Sequence, residues 1–291
     1  MQSLKCIVAA TDFSPAACRA VSRASVIARQ QGAALHLLHV VSPLALYPGM
    51  DIGPGMDDPI RLAAARSPLD AAAQKVHERF GIHAEVAQRI GRAHSQVAEY
   101  ARAVAADLVV AGALGGSFLP RFLMGATSSR LLRVCPCPVL IVRNEPVEVY
   151  RQVLAAVDFF PHTRAVAEWA SLLACDGRLQ LLHVLAPMDD ADLRHAAPNA
   201  AAASRQRRDE MRTIAGNLLA NMQSGLPGEV ESRLEEGYPP ALILACAPTW
   251  NTELIVVGRE GRGGLEQFLL GSVSKDVVQA AECDVLVVGA A

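Results

Sequence analysis

One internal repeat constrains this chain of 291 residues more than any other feature. Residues 7–13 recur as residues 153–159, and each copy places an aspartate directly after an apolar run. Three further landmarks recur in the same order: 37–40 as 181–184, 108–112 as 254–258, and 139–142 as 285–288. Matched landmarks in one order indicate a duplicated domain. We therefore expect two domains, over residues 1–144 and 149–291, separated by a short segment that contains a proline.

Each half alternates short apolar runs with longer segments of helical period. The runs are rich in Val, Ile and Leu, as is typical of strands buried on both faces of a parallel sheet. In the second half, apolar residues spaced i, i+3, i+4 and i+7 mark a helix that covers the sheet: Val166, Trp169, Ala170 and Leu173. We predict an α/β fold in which each half reads βαβαβαβαβ. The 52% of hydrophobic residues is enough for two cores.

The charge balance and the cysteine usage exclude several classes of protein. Lys and Arg number 27 against 29 Asp and Glu, so the chain lacks the basic excess that binding to a nucleic-acid backbone requires. No apolar stretch approaches the roughly 20 residues of a membrane span. The seven cysteines are odd in number and scattered, which favours reduced thiols. We expect a cytoplasmic protein that binds neither nucleic acid nor membrane.

A glycine-rich turn follows the fourth apolar run in each half. In an open parallel sheet, ligands bind at the carboxyl ends of the strands where the strand order reverses. Glycines let the backbone approach an anion, and N–H groups at the start of the next helix can hold phosphate oxygens. Both halves carry Gly-x-x-Gly, nine residues, and a third glycine followed by hydroxyl residues: Gly258, Gly261, Gly271, Ser272 and Ser274 in the second half, and Gly112, Gly115, Gly125, Thr127 and Ser128 in the first. Ordinary turns and helix caps are the alternative explanation.

Together with the aspartate after the first strand and the Leu-Leu-His-Val second strand, this pattern resembles the universal stress protein family in its tandem, two-domain form. The resemblance covers essentially the whole chain. It implies two doubly wound domains, each a five-stranded parallel sheet of order 3-2-1-4-5 flanked by helices. It also implies a stress-response or signalling protein that binds ATP, with Mg²⁺ accompanying ATP and with AMP or ADP as alternative ligands.

The same resemblance implies a nucleotide site in each half, with the phosphates in the glycine-rich loop. The residues near adenine and ribose are Val157, Asp158 and Val184 in the second half, and Thr11, Asp12 and Val40 in the first. Arg262 is a candidate cation facing the phosphates. The first half has Ala126 where the family has Ser or Thr. We therefore expect the second half to bind nucleotide better than the first.

Structural roles are an alternative to ligand binding for the two aspartates and for the histidine of each second strand. Asp12 and Asp158 could instead cap the helix that follows, since either role suits a carboxylate at a strand-to-helix turn. His39 and His183 lie on apolar strands, where a packed, hydrogen-bonded histidine is the expected arrangement. We predict neither a metal site nor a catalytic residue.

Three classes of function fit the pattern: ATP-dependent signalling, an interaction module of the same fold that binds no nucleotide, and an enzyme. Enzymes that use adenine nucleotides on such sheets need a Ser-Gly-Gly-type phosphate loop after the first strand, where residues 11–14 read Thr-Asp-Phe-Ser. We therefore predict a non-enzymatic protein, with weak ATPase activity left open. The apolar runs 139–142 and 285–288 are expected to pair the halves as a pseudo-dimer. A homodimer and an unknown protein partner are also left open.

Overall fold

The computed structural model describes residues 3–41, 58–113, 125–146, 148–160, 163–186, 198–259 and 270–289. In these residues the first half forms β1 (Cys6–Thr11), α1 (Pro15–Gln31), β2 (Ala34–Val41), α2 (Asp58–Phe80), β3 (Ala84–Ile90), α3 (Ala93–Ala103), β4 (Leu108–Gly112), α4 (Ala126–Val134) and β5 (Val139–Val142). The second half forms β6 (Gln152–Ala156), α5 (Thr163–Ala174), β7 (Arg178–Leu185), α6 (Pro198–Ser224), β8 (Glu229–Glu236), α7 (Pro239–Thr249), β9 (Leu254–Gly258), α8 (Ser272–Ala280) and β10 (Asp284–Val288). The predicted alternation of strands and helices is confirmed in both halves.

The strands form one sheet in the order β3-β2-β1-β4-β5-β10-β9-β6-β7-β8. Each half therefore has the predicted order 3-2-1-4-5, and neighbouring strands within a half run parallel. β5 and β10 pair antiparallel, with Val285 opposite Ile141 and Val287 opposite Val139. The predicted pairing of the last strands is confirmed. The division into domains at residues 1–144 and 149–291 stays a prediction, because one sheet runs through both halves.

The strands separate two apolar layers. Successive side chains of a strand point to opposite faces of its sheet. Ile7 and Ala9 of β1 belong to the layer covered by α1, α2, α5 and α6, whereas Val8 belongs to the layer covered by α3, α4, α7 and α8. Each layer includes residues of both halves. Among the described residues, no helix combines the length and the apolar character that crossing a membrane requires.

The chain turns sharply from β1 into α1 at the carboxyl edge of the sheet. Ser14 precedes α1, and its Oγ accepts a hydrogen bond from the N–H of Ala17 at 3.3 Å. Pro15 occupies the first helical position. A main-chain N–H there would have no intrahelical acceptor, so proline costs the helix no hydrogen bond. Gly32 ends the helix with a φ of 66°, a left-handed conformation that glycine adopts without strain. The first turn of α1 consequently lies beside the end of β1.

A buried carboxylate ties the second half to the first. Asp284 begins β10 and is only 1% exposed. Its Oδ1 accepts hydrogen bonds from the main-chain N–H groups of Arg143 at 2.8 Å and Asn144 at 3.2 Å. Its Oδ2 accepts a hydrogen bond from the Tyr150 hydroxyl at 2.7 Å. Burial, together with the charge of Asp284, raises the pKa of Tyr150 well above its ordinary value, so the phenol stays a donor.

Arg23 of α1 supplies the opposite charge to this carboxylate. Its Nε lies 3.3 Å from Oδ2 of Asp284, and both side chains are almost fully buried. The guanidinium carbon lies 3.9 Å from the centroid of the Tyr150 ring, and Nη1 donates to the carbonyl oxygen of Glu148 at 2.6 Å. Pro138 occupies the first-half position that corresponds to Asp284. The network is therefore asymmetric, and it joins α1, the connecting segment and β10.

We expect Asp284→Asn to lower the free energy of unfolding by about 3–5 kcal/mol, because the substitution leaves the Arg23 charge buried without its counter-ion. Glu229→Gln is the matched control. It breaks the solvent-exposed pair between Arg178 and Glu229, whose nitrogen and oxygen lie 3.1 Å apart, and should cost less than about 1 kcal/mol. Urea unfolding followed by circular dichroism measures both changes. Equal, small losses in the two variants would show that the network contributes little.

Candidate functional site

A cavity of about 260 Å³ lies in the second half, at the carboxyl ends of β6, β7 and β9. The first turns of α5, α7 and α8 border it. β6 and β9 are the neighbouring strands between which the strand order reverses. Open α/β sheets bind their ligands at such a reversal. The cavity is therefore the candidate binding site.

The structure brings the predicted second-half residues together. Those that it describes all line the cavity: Val157, Asp158, Val184, Gly258, Gly271, Ser272 and Ser274. The remaining two, Gly261 and Arg262, lie outside the described residues, and their roles stay predictions.

The two aspartates form the same turn in both halves. Oδ1 of Asp12 and Oδ1 of Asp158 each accept a hydrogen bond from the main-chain N–H two residues ahead, at 3.0 and 3.1 Å. The residue between, Phe13 or Phe159, has a φ of 63° or 61°. Positive φ is uncommon outside glycine, and a side-chain oxygen bonded two residues ahead stabilises such a turn. Both aspartates therefore stabilise the turn itself. The alternative that Asp12 caps the following helix is wrong, because Ser14 is the N-cap of α1.

Asp158 also accepts a hydrogen bond from a side chain of the following helix. Thr163, the first residue of α5, donates its hydroxyl to Oδ1 of Asp158 at 2.8 Å, whereas Ala17 stands at the corresponding position in α1. The carboxylate is exposed and borders the cavity. Because a carboxylate offers about four acceptor positions, the turn does not exhaust its capacity.

The two histidines hold the ends of the first strands. Nδ1 of His183 lies 2.6 Å from the carbonyl oxygen of Val157, and Nδ1 of His39 lies 2.8 Å from that of Thr11. Since a carbonyl only accepts, Nδ1 carries the hydrogen in both rings. The phenylalanine after each aspartate lies against the ring, with centroids 4.3 Å apart in the second half and 4.5 Å in the first. The predicted packed, hydrogen-bonded role of the histidines is confirmed.

A main-chain hydrogen bond between described residues closes the base of each glycine-rich loop. The N–H of Gly271 donates to the carbonyl oxygen of Arg259 at 2.8 Å, and that of Gly125 donates to Ala113 at 3.0 Å. The loop residues between these ends, Gly115 among them, lie outside the described residues. The matching bonds fix the start of the next helix against the end of the fourth strand in both halves.

The helix after the loop begins without a side-chain cap. Gly271 is the N-cap of α8, and glycine has no side chain that could accept from the first turn. The leading N–H groups of a helix have no intrahelical acceptor and carry its partial positive charge. Ser272, Val273 and Ser274 bring this end of α8 to the cavity. α4 begins in the same way at Gly125.

Ser274 and Ser128 are already hydrogen-bonded within the protein. The Ser274 hydroxyl donates to the carbonyl oxygen of Gly258, and the Ser128 hydroxyl donates to that of Gly112 at 2.9 Å. Both serines are buried. A hydroxyl has one hydrogen to donate, so each of these serines holds a helix to a strand end. The predicted phosphate contact of Ser274 and Ser128 stays a prediction and needs a rearrangement of this bond.

The first half repeats the main-chain arrangement of the site but carries different side chains. Thr11 stands where the second half has Val157, and its Oγ1 accepts from the N–H of Phe13 at 3.1 Å. Gly112 is needed where it stands, because a Cβ there would lie 2.8 Å from the main chain of Ala16. Ala126 and Thr127 are exposed at the start of α4 in place of Ser272 and Val273. Thr11, Asp12, Val40 and Gly125 also keep positions that match their second-half counterparts.

The cavity walls also include helix residues that the motif does not contain. They are Thr163 and Val166 of α5 and Pro239 and Ile243 of α7. The helical period marks Val166 as a residue facing the sheet, but it does not show that the first turn of α5 borders an opening. The hydroxyl of Thr163, three residues before Val166, is the signal that could have drawn attention to this turn.

Known proteins of one family are similar to both halves of the chain. The model of the universal stress protein family matches residues 4–143 and again residues 149–289. A universal stress protein of Mycolicibacterium smegmatis is 28% identical over 290 residues, which cover 97% of this chain and 96% of that protein. One of Mycobacterium tuberculosis (strain H37Rv) is 29% identical over 304 residues, which cover 97% and 95%.

A solved structure has the same fold over its whole length. The universal stress protein from Archaeoglobus fulgidus matches with a TM-score of 0.72 at 23% identity, covering 99% of both chains. Because the family model matches both halves, the chain belongs to the universal stress protein family, with one copy of the family's fold in each half.

Proposed function

We propose that the second half binds an adenine nucleotide, ATP in the first place, and that the protein works as a nucleotide-responsive stress or signalling protein rather than an enzyme. One observation carries the proposal: an uncapped helix start and an exposed carboxylate meet at one largely apolar cavity, at the reversal of strand order. Membership of the universal stress protein family supports it.

The cavity suits the base and the sugar of a nucleotide. Its volume of about 260 Å³ lies just below the range of about 300–1,000 Å³ for whole small-molecule sites, so it encloses part of the ligand. Val157, Val184 and Val257 give it apolar walls on which a flat base can lie. Asp158 can accept hydrogen bonds from ribose hydroxyls, which are donors.

The phosphates would extend from the cavity towards the start of α8. Anions bind at helix N-termini because free N–H groups and the helix dipole act together. Ser272 is exposed there and can donate its hydroxyl. Gly261 and Arg262 complete the proposed contacts, and Mg²⁺ would accompany ATP. AMP and ADP remain members of the same proposed ligand class.

The first half is proposed as the weaker site. It offers the same uncapped helix start at Gly125, but Ala126 provides no hydroxyl there. One ordinary hydrogen bond contributes about 0.5–1.5 kcal/mol, which corresponds to an affinity difference of about 2- to 12-fold.

We also propose a cytoplasmic location and a protein partner. All seven cysteines are free thiols, which suits a reducing, cytoplasmic compartment. An unidentified protein partner would bind the nucleotide-bound conformation. Nucleotide favours that conformation only if it binds it more tightly than the other. Two chains are also proposed to associate as a homodimer, in addition to the pairing of the two halves within one chain.

Gly271→Glu tests where the nucleotide binds. The substitution puts a negative carboxylate at the start of α8, where phosphates are proposed, and should weaken ATP binding at least about 10-fold. Gly125→Glu makes the same change in the first half and should leave the stronger site intact. Isothermal titration calorimetry with ATP measures both, and thermal unfolding checks that both variants fold. Unchanged affinity in folded Gly271→Glu would contradict the proposed site.

A pair of serine variants separates a ligand contact from a structural bond. Ser272→Ala should lower ATP affinity about 2- to 12-fold and leave stability unchanged. Ser274→Ala should lower the free energy of unfolding by about 1–3 kcal/mol, because the buried carbonyl oxygen of Gly258 loses its donor. Ser128→Ala is the first-half control and should lower stability by a similar amount. The reverse pattern for Ser272 and Ser274 would contradict these roles.

A further inference from the structure

Two cysteine thiols meet at the end of α4 in the first half. Cys135 is the C-cap of α4, Pro136 follows, and Cys137 lies two residues before β5. The two sulfur atoms are 3.8 Å apart and share a hydrogen bond. Cys135 is buried, whereas Cys137 is partly exposed. The second half has Ala281 and Cys283 at the corresponding positions, so this copy lacks the pair.

The shared hydrogen bond changes the acidity of both thiols. The bond from Cys137 lowers the pKa of the Cys135 thiol, and the charges of Arg259 and Arg102 act in the same direction. The same bond, with burial, raises the pKa of Cys137. When the pair ionises, the thiolate is therefore favoured at Cys135 and the remaining proton at Cys137.

We propose that Cys135 and Cys137 form a dithiol site that hydroperoxides oxidise to a disulfide, and that the disulfide alters the start of α8 in the second half through Arg259. The thiolate attacks one peroxide oxygen, the O–O bond breaks, and a sulfenic acid and hydroxide form. The second thiol then attacks the sulfenic sulfur and water leaves. In sum, two thiols lose two electrons and two protons, and one hydrogen peroxide becomes two water molecules.

The geometry permits the disulfide with a small movement. The sulfurs must close from 3.8 Å to about 2.05 Å. Residues two apart in the chain have Cα atoms no farther than roughly 7 Å from each other, close to the range of about 4.4–6.8 Å that disulfides span. Because Cys137 is partly exposed, a small peroxide can reach the pair from solvent.

The main chain of Cys135 links this site to the second half. Nη1 of Arg259 donates to the carbonyl oxygen of Cys135 at 3.0 Å. The carbonyl oxygen of Arg259 accepts the N–H of Gly271 at 2.8 Å, and its N–H donates to Val288 at 2.7 Å. A disulfide that moves Cys135 thus acts on the residue that holds the N-cap of α8. That this changes nucleotide affinity rests on the proposed function; the effect on Arg259 does not.

Mass spectrometry tests the chemistry in a Cys18→Ser, Cys175→Ser background, which removes the two exposed cysteines. Folded protein is treated with hydrogen peroxide, free thiols are alkylated, and trypsin releases residues 134–143, which contain both cysteines. We expect this peptide unalkylated, lighter by two hydrogen atoms, and restored by a dithiol reductant. Cys283 is the internal control: burial raises its pKa to about 12, which should keep the folded protein's thiol protonated and unoxidised, so it is alkylated once the protein is denatured. Full alkylation of residues 134–143, or their recovery as sulfinic and sulfonic acids, would overturn the proposal.

Hydrogen exchange tests the link without nucleotide. After oxidation, the amide of Gly271 should exchange up to about 12-fold faster, the largest factor that loss of one ordinary hydrogen bond produces. Cys135→Ala, the residue found at the corresponding second-half position, keeps the main-chain carbonyl and should show no response to peroxide. A disulfide without faster exchange at Gly271 would overturn the link. Because mass and exchange are read without ATP, a failure of nucleotide binding is distinguishable from a failure of this switch.

Discussion

The antiparallel pairing of β5 with β10 determines how the rest of the molecule is arranged. Each parallel half would otherwise leave its last apolar strand as an open edge, and open edges invite pairing. By pairing with each other, the two strands merge two sheets into one and make both apolar layers continuous. Asp284 fixes the junction from one side, where it binds Arg23, Tyr150 and two main-chain N–H groups. Arg259 fixes it from the other, through the carbonyl oxygen of Cys135.

The sequence allows the fold to be predicted because the repeat doubles each signal. A single apolar run such as residues 108–112 is ambiguous, but its recurrence at 254–258 in the same order identifies a parallel strand. The Asp284 network could not be predicted in this way. Its members are distant in sequence, its first-half counterpart is Pro138, and no local pattern joins an arginine in α1 to an aspartate in β10. A contact present in only one half cannot be predicted from the residues that the two halves share.

The candidate site shows the same division between local and tertiary information. The glycines and Asp158 were predictable because the same residue types follow the corresponding strands in both halves. The motif does not show that the Ser274 hydroxyl donates to the carbonyl oxygen of Gly258. Nor does it show that Thr163 and Ile243 line the cavity. Both depend on how the helices pack on the sheet. The two halves share the backbone frame and differ in the side chains placed on it. The frame therefore explains why both halves resemble nucleotide sites, and the side chains explain why the second is proposed as the stronger.

The second-half cavity and the start of α8 are proposed to hold an adenine nucleotide. The most direct measurement is to denature freshly purified protein, identify any released nucleotide by chromatography, and count molecules per chain, followed by titration of the emptied protein with ATP. The account predicts an adenine nucleotide, close to one per chain, or saturable binding of ATP once the protein is emptied. If the protein retains no nucleotide and the emptied protein binds no added ATP, the account is contradicted, and the tandem fold is then an interaction module.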